Sequence, residues 1–323
     1  MAREPLTRAE FLKILAAGAG GVVFLGGSED ALAALAGADD DLDEAALNGD
    51  AGRTAAAPYM TVVHGTPVDV NVRTAIAKLG GMRRFVSAGD DVVIKPNICA
   101  ARAAKYATTT NPVVVATLVR LARGAGARRV RVMDNPISSS PSSCYSASGI
   151  ASAVKAAGGS MQVMSASRYA TYDIPGGTLG RLPVYRDMLA CDVLINVPIA
   201  KQHGSTGLTL SGKNLMGCTN NRGKMHNLGL SRSIAELNAR LKPDLTVLDA
   251  VRILVRNGPT GGSLSDVRRR DIVIASKDWV AVDAYATRLF GKTPRFVPYI
   301  AAAAGMGLGK SDLSGLVIRK YEV

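Results

Sequence analysis

From residue 59 onward the chain alternates short Val/Ile-rich runs with Ala-rich stretches of helical spacing, and this alternation constrains the fold more than any other feature. Strand-helix order of this kind predicts an α/β architecture, a largely parallel sheet covered by helices. The candidate strands are 59–63, 91–95, 128–133, 160–165, 192–197, 244–248 and 271–275, with helical patterns near 69–79, 112–123, 147–157, 231–241 and 279–290. The second helical pattern opens on Pro112 and stops at Gly124, as start and stop preferences require. With one Trp and five Phe in 323 residues, the core must be built from Ala, Val, Leu and Ile. Segment 199–230 shows no clear period and is expected to be a long loop folded over the carboxyl edge of the sheet.

The chain before this body reads differently. Residues 14–27, ILAAGAGGVVFLGG, form an apolar run too short for a membrane span, which needs about 20 residues. Arg3, Arg8 and Lys13 precede it and the small-residue run ALAALAGA follows, so residues 1–38 read as a secretory signal segment. Thr7-Arg8-Ala9-Glu10-Phe11-Leu12-Lys13 resembles a twin-arginine export signal except at Ala9, where the second Arg belongs. The expected location is periplasmic or extracellular, with no stable membrane span after processing, and cytoplasmic if this degenerate signal is not functional. Residues 39–57 form an acidic flexible linker, and 58–323 a single α/β body.

The net charge is +13, and after residue 50 there are 36 basic against 16 acidic residues. Such a balance favours an anionic partner. Nucleic acid is excluded as the expected partner, because the body has neither a recognisable binding motif nor aromatic stacking platforms. A small anionic ligand fits better.

Several buried-looking strands end in groups that a turn does not need. DVVIK leads to Lys95-Pro96-Asn97, RRVRVM to Asp134-Asn135, DVLINVP to Lys201-Gln202-His203, and DLTVL to Asp249. In an open parallel sheet the carboxyl ends share one edge, and ligands bind in the crevice there. The chain has three histidines, His64, His203 and His226. Beside Asp134, Asp249 or Asp283, the imidazoles of His203 and His226 would suit acid/base work or a mixed N/O site for a divalent metal. No HExxH or H-x3-H spacing prescribes a zinc site. Lys213, Asn214 and Gly217 offer a cation, an amide and a flexible backbone, as an anion cradle would. The four cysteines, 99, 144, 191 and 218, contain no C-x-x-C, so no integral iron–sulfur cluster motif is present. Cys191 is expected to be unpaired and buried. GMGLGK at 305–310 follows an Ala-rich helix rather than a strand and reads as a helix C-cap.

Taken together, KPN (95–97), TNP (110–112), K-x-H (201–203), KN-x-x-G (213–217), His226, Asp249, GP-x-GG (258–262) and VAVDA (280–284) resemble the prokaryotic family catalogued as domain of unknown function 362, over about residues 60–310. The resemblance implies a shared α/β fold and a shared site, to which Lys95, Asn97, Asn111, Lys201, His203, Lys213, Asn214, His226, Asp249 and Asp283 belong. Some members carry ferredoxin-type cluster modules; this chain lacks their cysteine pattern.

Two functions follow as expectations. One is an exported enzyme acting on a small anionic or oxygenated substrate, with His203 as acid/base, Lys201 and Lys213 neutralising charge, Lys95, Asn97, Asn111 and Asn214 binding substrate, and Asp249 orienting the histidine or a metal. The other is a non-catalytic extracytoplasmic protein that binds a metal or an anion.

Overall fold

The computed structural model of the chain describes residues 57–137 and 140–323. The expected signal segment and the linker up to residue 56 lie outside the described residues. The elements are, in chain order, β1 (Met60–His64), α1 (Val68–Lys78), β2 (Asp91–Pro96), α2 (Pro112–Gly124), β3 (Arg129–Val132), α3 (Pro141–Ala147), α4 (Ile150–Ala156) and β4 (Ser160–Met161). They continue with β5 (Tyr169–Asp173), β6 (Arg181–Tyr185), α5 (Asp187–Ala190), β7 (Val193–Val197), β8 (Ile199–His203), β9 (Gly207–Thr209), α6 (Ser211–Asn214) and α7 (Arg222–Asn227). The last are α8 (Leu230–Leu241), β10 (Leu245–Leu254), β11 (Val267–Ser276), α9 (Trp279–Ala286), α10 (Pro298–Gly305) and β12 (Ile318–Glu322).

Among the described residues ten strands form one sheet in the order β12-β1-β11-β10-β7-β2-β3-β4, with β8 beside β10 and β9 beside β8, while β5 and β6 make a separate hairpin. Pairing is parallel except where β11 meets β1 and β10 and where β9 meets β8. This is the α/β class that the alternation predicts. Helices cover both faces. On one, Val72 and Ile76 of α1, Leu118 and Val119 of α2 and Val154 of α4 pack with Val92, Ile94 and Val132. On the other, Leu237 and Leu241 of α8, Val280 of α9 and Ile300 of α10 pack with Val93, Leu194 and Leu248. Successive residues of a strand face opposite ways, so β2 splits Val92 and Ile94 from Val93, and all six of its residues are buried.

Local chemistry sets the element ends. Asn111 accepts a hydrogen bond from Val113 N at the start of α2, with Pro112 in the first turn. Asp278 does the same for Ala281 N at α9. The Ala-rich α10 ends at Gly305 with Gly307 at φ 72°, so GMGLGK is a helix C-terminus.

The structure corrects the reading of 199–230 as a long loop. That segment holds the β8-β9 hairpin and helices α6 and α7. Its strands escape notice because β8, IAKQH, interrupts its apolar residues with Lys201 and His203, which face the site. The hairpin β5-β6 and the edge strand β12, IRKYE, are also illegible in the sequence: each strand is five residues long, β5 and β12 bury none of their residues fully, and Pro183 interrupts β6. Strand 160–165 shortens to two residues. Cys191 is free but only partly buried, because it lies in the turn before β7 begins.

Chain order matters for the site. From β2 the sheet grows through β3 to β4, and from β7 it grows the other way through β10. The switch point therefore lies between β2 and β7, where Lys95 is in register with Asn196, and the crevice of an α/β sheet opens at the carboxyl ends there.

At the opposite ends of these strands Arg131 is buried between two carboxylates. It donates to Asp91 Oδ1 at 3.0 Å and to Asp91 Oδ2 at 2.5 Å, and it pairs with Asp187. Arg131→Met should destabilise the fold by about 1–3 kcal/mol, because two buried carboxylates lose their shared buried partner while Asp91 keeps Arg129 and Asp187 keeps Arg168, both half-exposed. Urea denaturation checks this; an unchanged midpoint would show that the pair carries no stability.

Candidate functional site

Lys95 ends β2 with its ammonium fully buried. Its Nζ lies 2.6 Å from Asp134 Oδ1 and donates to Asn214 Oδ1 at 3.0 Å and Pro96 O at 2.9 Å, so its three protons are satisfied. Asp134 stands just past β3. Its Oδ2 accepts from Ile98 N at 2.6 Å and its Oδ1 from Asn135 N at 2.8 Å. Asn214 closes the base of the site: its Nδ2 donates to Asn196 Oδ1 at 2.8 Å and Lys95 O at 3.2 Å, and its Oδ1 also accepts from Asn97 Nδ2 at 3.0 Å. Gly217 is required by close approach. A Cβ there would collide with Asp134 Oδ1 and sit 2.8 Å from Lys95 Nζ.

One step outward the balance of charge changes. Lys201 is buried, and its Nζ donates to Asn97 Oδ1 at 2.9 Å and Thr108 O at 2.8 Å. Among the described residues it makes no ion pair. Burial pushes its pKa down, and the charge of Lys95 adds to that. Lys213 is half-buried; burial and then the charges of Lys201 and Arg222 push it down to about 8. Its Nζ meets Met216 Sδ at 3.4 Å. His203, also half-buried, is pushed down to about 3 by burial, with Lys213, Lys201 and His226 acting in the same direction. Its Nδ1 accepts from Ser205 N at 3.1 Å. That bond places the ring proton on Nε2, so the neutral imidazole presents a donor.

Lys95, Asn97, Lys201 and Asn214 thus form one hydrogen-bonded unit, with His203 and Lys213 within its electrostatic reach. His226 is exposed at the rim, its pKa lowered by burial and by Lys213. Asn111 and Asp249 stand apart from the lysines: Asp249 Oδ2 accepts from Asn111 N at 2.7 Å and Oδ1 from Val251 N at 2.9 Å, while the Asn111 amide oxygen caps α2. No hydrogen bond joins Asp249 to His203. Asp283 accepts from Ser211 N at 2.7 Å and Gly212 N at 2.9 Å, and so fixes the start of α6, which carries Lys213 and Asn214.

These commitments bear on a divalent metal. Among the described residues no three His, Cys, Asp or Glu side chains converge as a ligand set. Asp134 is spent on Lys95, Asp249 and Asp283 on backbone N–H groups, and the two histidines sit beside lysines whose charge repels a cation. The residues present do not fit such a metal.

The site also contains groups that strand-end reasoning missed. Thr108 supplies a carbonyl to Lys201, Asn196 holds Asn214, and Arg222 fastens α7 to the Asn135 and Met216 carbonyls. Buried Cys99 lies within reach of both Lys201 and Lys213. Asn196 was legible as a polar residue within an apolar strand; Thr108 acts through its backbone and left no signal.

The profile of the family described as "Domain of unknown function (DUF362)" matches residues 92–288. The thylakoid-associated protein sll1697 of Synechocystis sp. is 29% identical over 247 residues, covering 74% of this chain and 74% of that protein. Among solved structures, the lactate racemase apoprotein from Thermoanaerobacterium thermosaccharolyticum is similar at a TM-score of 0.44 and 10% identity, over 68% of this chain and 54% of that one. A Thermotoga maritima protein is similar at 0.42 and 11%, over 75% and 60%. The chain thus spans little more than half the length of these two structures.

Two predictions follow from the site's charges. Lys95→Met should cost about 3 kcal/mol or more, because Asp134 loses its counter-charge. Lys201→Met should leave stability unchanged or raise it by about 1 kcal/mol, because it removes a buried cation that has no carboxylate partner. Thermal melts of both variants give the comparison, and equal losses would contradict the different pairing of the two lysines.

The second concerns pH. Burial raises Asp249 to about 6 and Asp283 to about 7, and the backbone donors only partly offset it. An unfolded carboxyl titrates near about 4, so the folded chain holds two protons that the unfolded chain has released. The stability they contribute is full below about pH 4 and is lost as pH rises through about 6 and 7. An Asp249→Asn, Asp283→Asn variant should show a flatter stability profile between about pH 5 and 8. Urea midpoints across that range are the measurement; parallel profiles for variant and parent would refute the assignment.

Proposed function

The chain belongs to the DUF362 family, and we propose that its Lys201–His203–Lys213 cluster is the site of an enzyme acting on a small anionic or oxygenated substrate. One observation carries the reading: basic groups gather at the carboxyl edge with no carboxylate to neutralise them, while the acids nearby are spent elsewhere. Partly desolvated cations without counter-charges create a strong field for an anion.

Within this reading Lys201 holds the substrate's negative group, and His203 donates from Nε2 to one of its oxygens. Proton transfer passes from His203, its expected bearer, to Lys213. An imidazole at about 3 is too weak a base near neutrality, and its Nδ1 is engaged, whereas an amine at about 8 lies near the working pH. Lys95, Asn97 and Asn214 hold the floor in place. Asp249 and Asp283 act as positioning residues through the Asn111 loop and through α6.

Export remains part of the proposal. It rests on the charged and apolar pattern of residues 1–38, and the Synechocystis relative's name places that protein at the thylakoid. Among the described residues no helix is long and apolar enough to cross a membrane.

The test is a panel of small carboxylates and phosphate esters, screened first by thermal shift and then by proton NMR in deuterated buffer. Binding should raise the melting temperature of the parent and leave Lys201→Met unmoved. A bound compound should exchange a proton for deuterium or be converted, at a rate about 10²–10⁴-fold lower in Lys213→Met. Binding without turnover in the parent would instead support the non-catalytic anion-binding reading, and no binding at all would remove both.

A further inference from the structure

Strand β8 has two faces. Lys201 and His203 point into the site, and Gln202 between them points the other way. On that side lies a cleft of about 580 Å³. It is bounded by Gln202 and Leu208 of the β8-β9 hairpin, by Val255, Arg268 and Arg270 at the far ends of β10 and β11, and by Arg288 to Lys292 and Phe296 after α9. This volume is that of a small-molecule site.

Its chemistry is uneven. Four cations line it, Arg268, Arg270, Arg288 and Lys292, and no Asp or Glu does. None of the four takes part in an ion pair among the described residues. Arg268 donates to the carbonyls of Ser265 and Val267, Arg288 lies 5.2 Å over the Tyr285 ring and Lys292 4.8 Å over the Phe296 ring. Among the described residues the Arg270 side chain has no hydrogen-bond partner. Arg269, on the opposite face of β11, is paired with Asp271 at 2.7 Å, so the absence of acids is particular to the cleft side. Between the cations the walls are apolar: Leu208, Val255, Leu289, Phe290 and Phe296, the last 44% exposed. Gathered like charges repel one another, and an apolar wall beside water gains nothing. An anion with an apolar body relieves both costs.

We propose that this cleft is a second binding site, separate from the lysine–histidine cluster, for an organic anion bearing a phosphate or carboxylate on an apolar chain or ring. Arg270 and Arg288 hold the anionic head, and Phe290, Phe296 and Leu208 cover the apolar part.

Octyl phosphate below its micelle threshold is the probe, titrated by calorimetry at low ionic strength beside inorganic phosphate. The parent should bind octyl phosphate at least about tenfold more tightly than inorganic phosphate, since the chain buries apolar surface. Arg270→Ala with Arg288→Ala should weaken octyl phosphate by about tenfold or more, with an unchanged melting temperature because both side chains are exposed. Lys213→Met should bind it within about twofold of the parent, because that lysine belongs to the other site. The proposal fails if the parent does not bind octyl phosphate, if the double variant binds it as well as the parent, or if Lys213→Met abolishes binding. Co-sedimentation with phosphatidylglycerol vesicles that needs the same two arginines assigns the anion to a lipid headgroup; octyl phosphate binding without co-sedimentation assigns it to a soluble ester.

Discussion

The Lys95 ammonium, 2.6 Å from Asp134 and bonded to Asn214, ties three distant segments into one floor: the end of β2, the turn after β3, and helix α6. Neither charge has access to water, so each depends on the other to offset its desolvation. The site above is built on this pair. Asn214 can hold Asn97 only because Lys95 and Asn196 fix its amide, and Asn97 in turn accepts from Lys201. Gly217 belongs to the same constraint, since any larger residue would enter the space the ion pair fills.

Above that floor the charges no longer balance. The acids are committed: Asp134 to Lys95, Asp249 to the backbone of Asn111 and Val251, Asp283 to the backbone of Ser211 and Gly212. Burial lowers the proton affinity of Lys201, Lys213 and His203, and charge adds to it in turn: Lys95 acts on Lys201, Lys201 on Lys213, and both Lys213 and Lys201 on His203. Stability is given up here, because an uncompensated buried cation costs free energy that an apolar side chain would not. A ligand that brings negative charge would recover it.

The hairpin β8-β9 gives this arrangement two sides. Alternation along β8 sends Lys201 and His203 toward the floor of Lys95 and Asn214, and Gln202 toward the arginine-lined cleft, where its amide also accepts from Gly258 N at 2.7 Å. Both sides are basic, but differently built. The inner one is a hydrogen-bonded network of asparagines and buried lysines; the outer one sets exposed guanidiniums against aromatic and aliphatic walls.

The sequence by itself determined the fold class, most of the helices and the strands that are apolar throughout, because burial on both faces leaves a continuous Val/Ile signal that needs no partner to be read. It also led to the expectation that Lys95, Lys201, His203, Lys213 and Asp249 share one edge, since parallel strands deliver their carboxyl ends there; Lys95 and Lys201 are linked through Asn214 and Asn97, whereas Asp249 bonds backbone N–H groups. It could not reveal β8, whose polar residues break its apolar pattern, nor β12, which gains its place only by pairing with β1. Tertiary structure alone decided which charges would be neutralised. Asp134 and Asp249 are alike as strand-end acids in the sequence, yet one meets an ammonium and the other two backbone N–H groups. The reason is that a strand's periodicity fixes the direction of a side chain, whereas its partner comes from chain segments more than a hundred residues away for Lys95 and Asn214, brought there by the packing of the whole sheet.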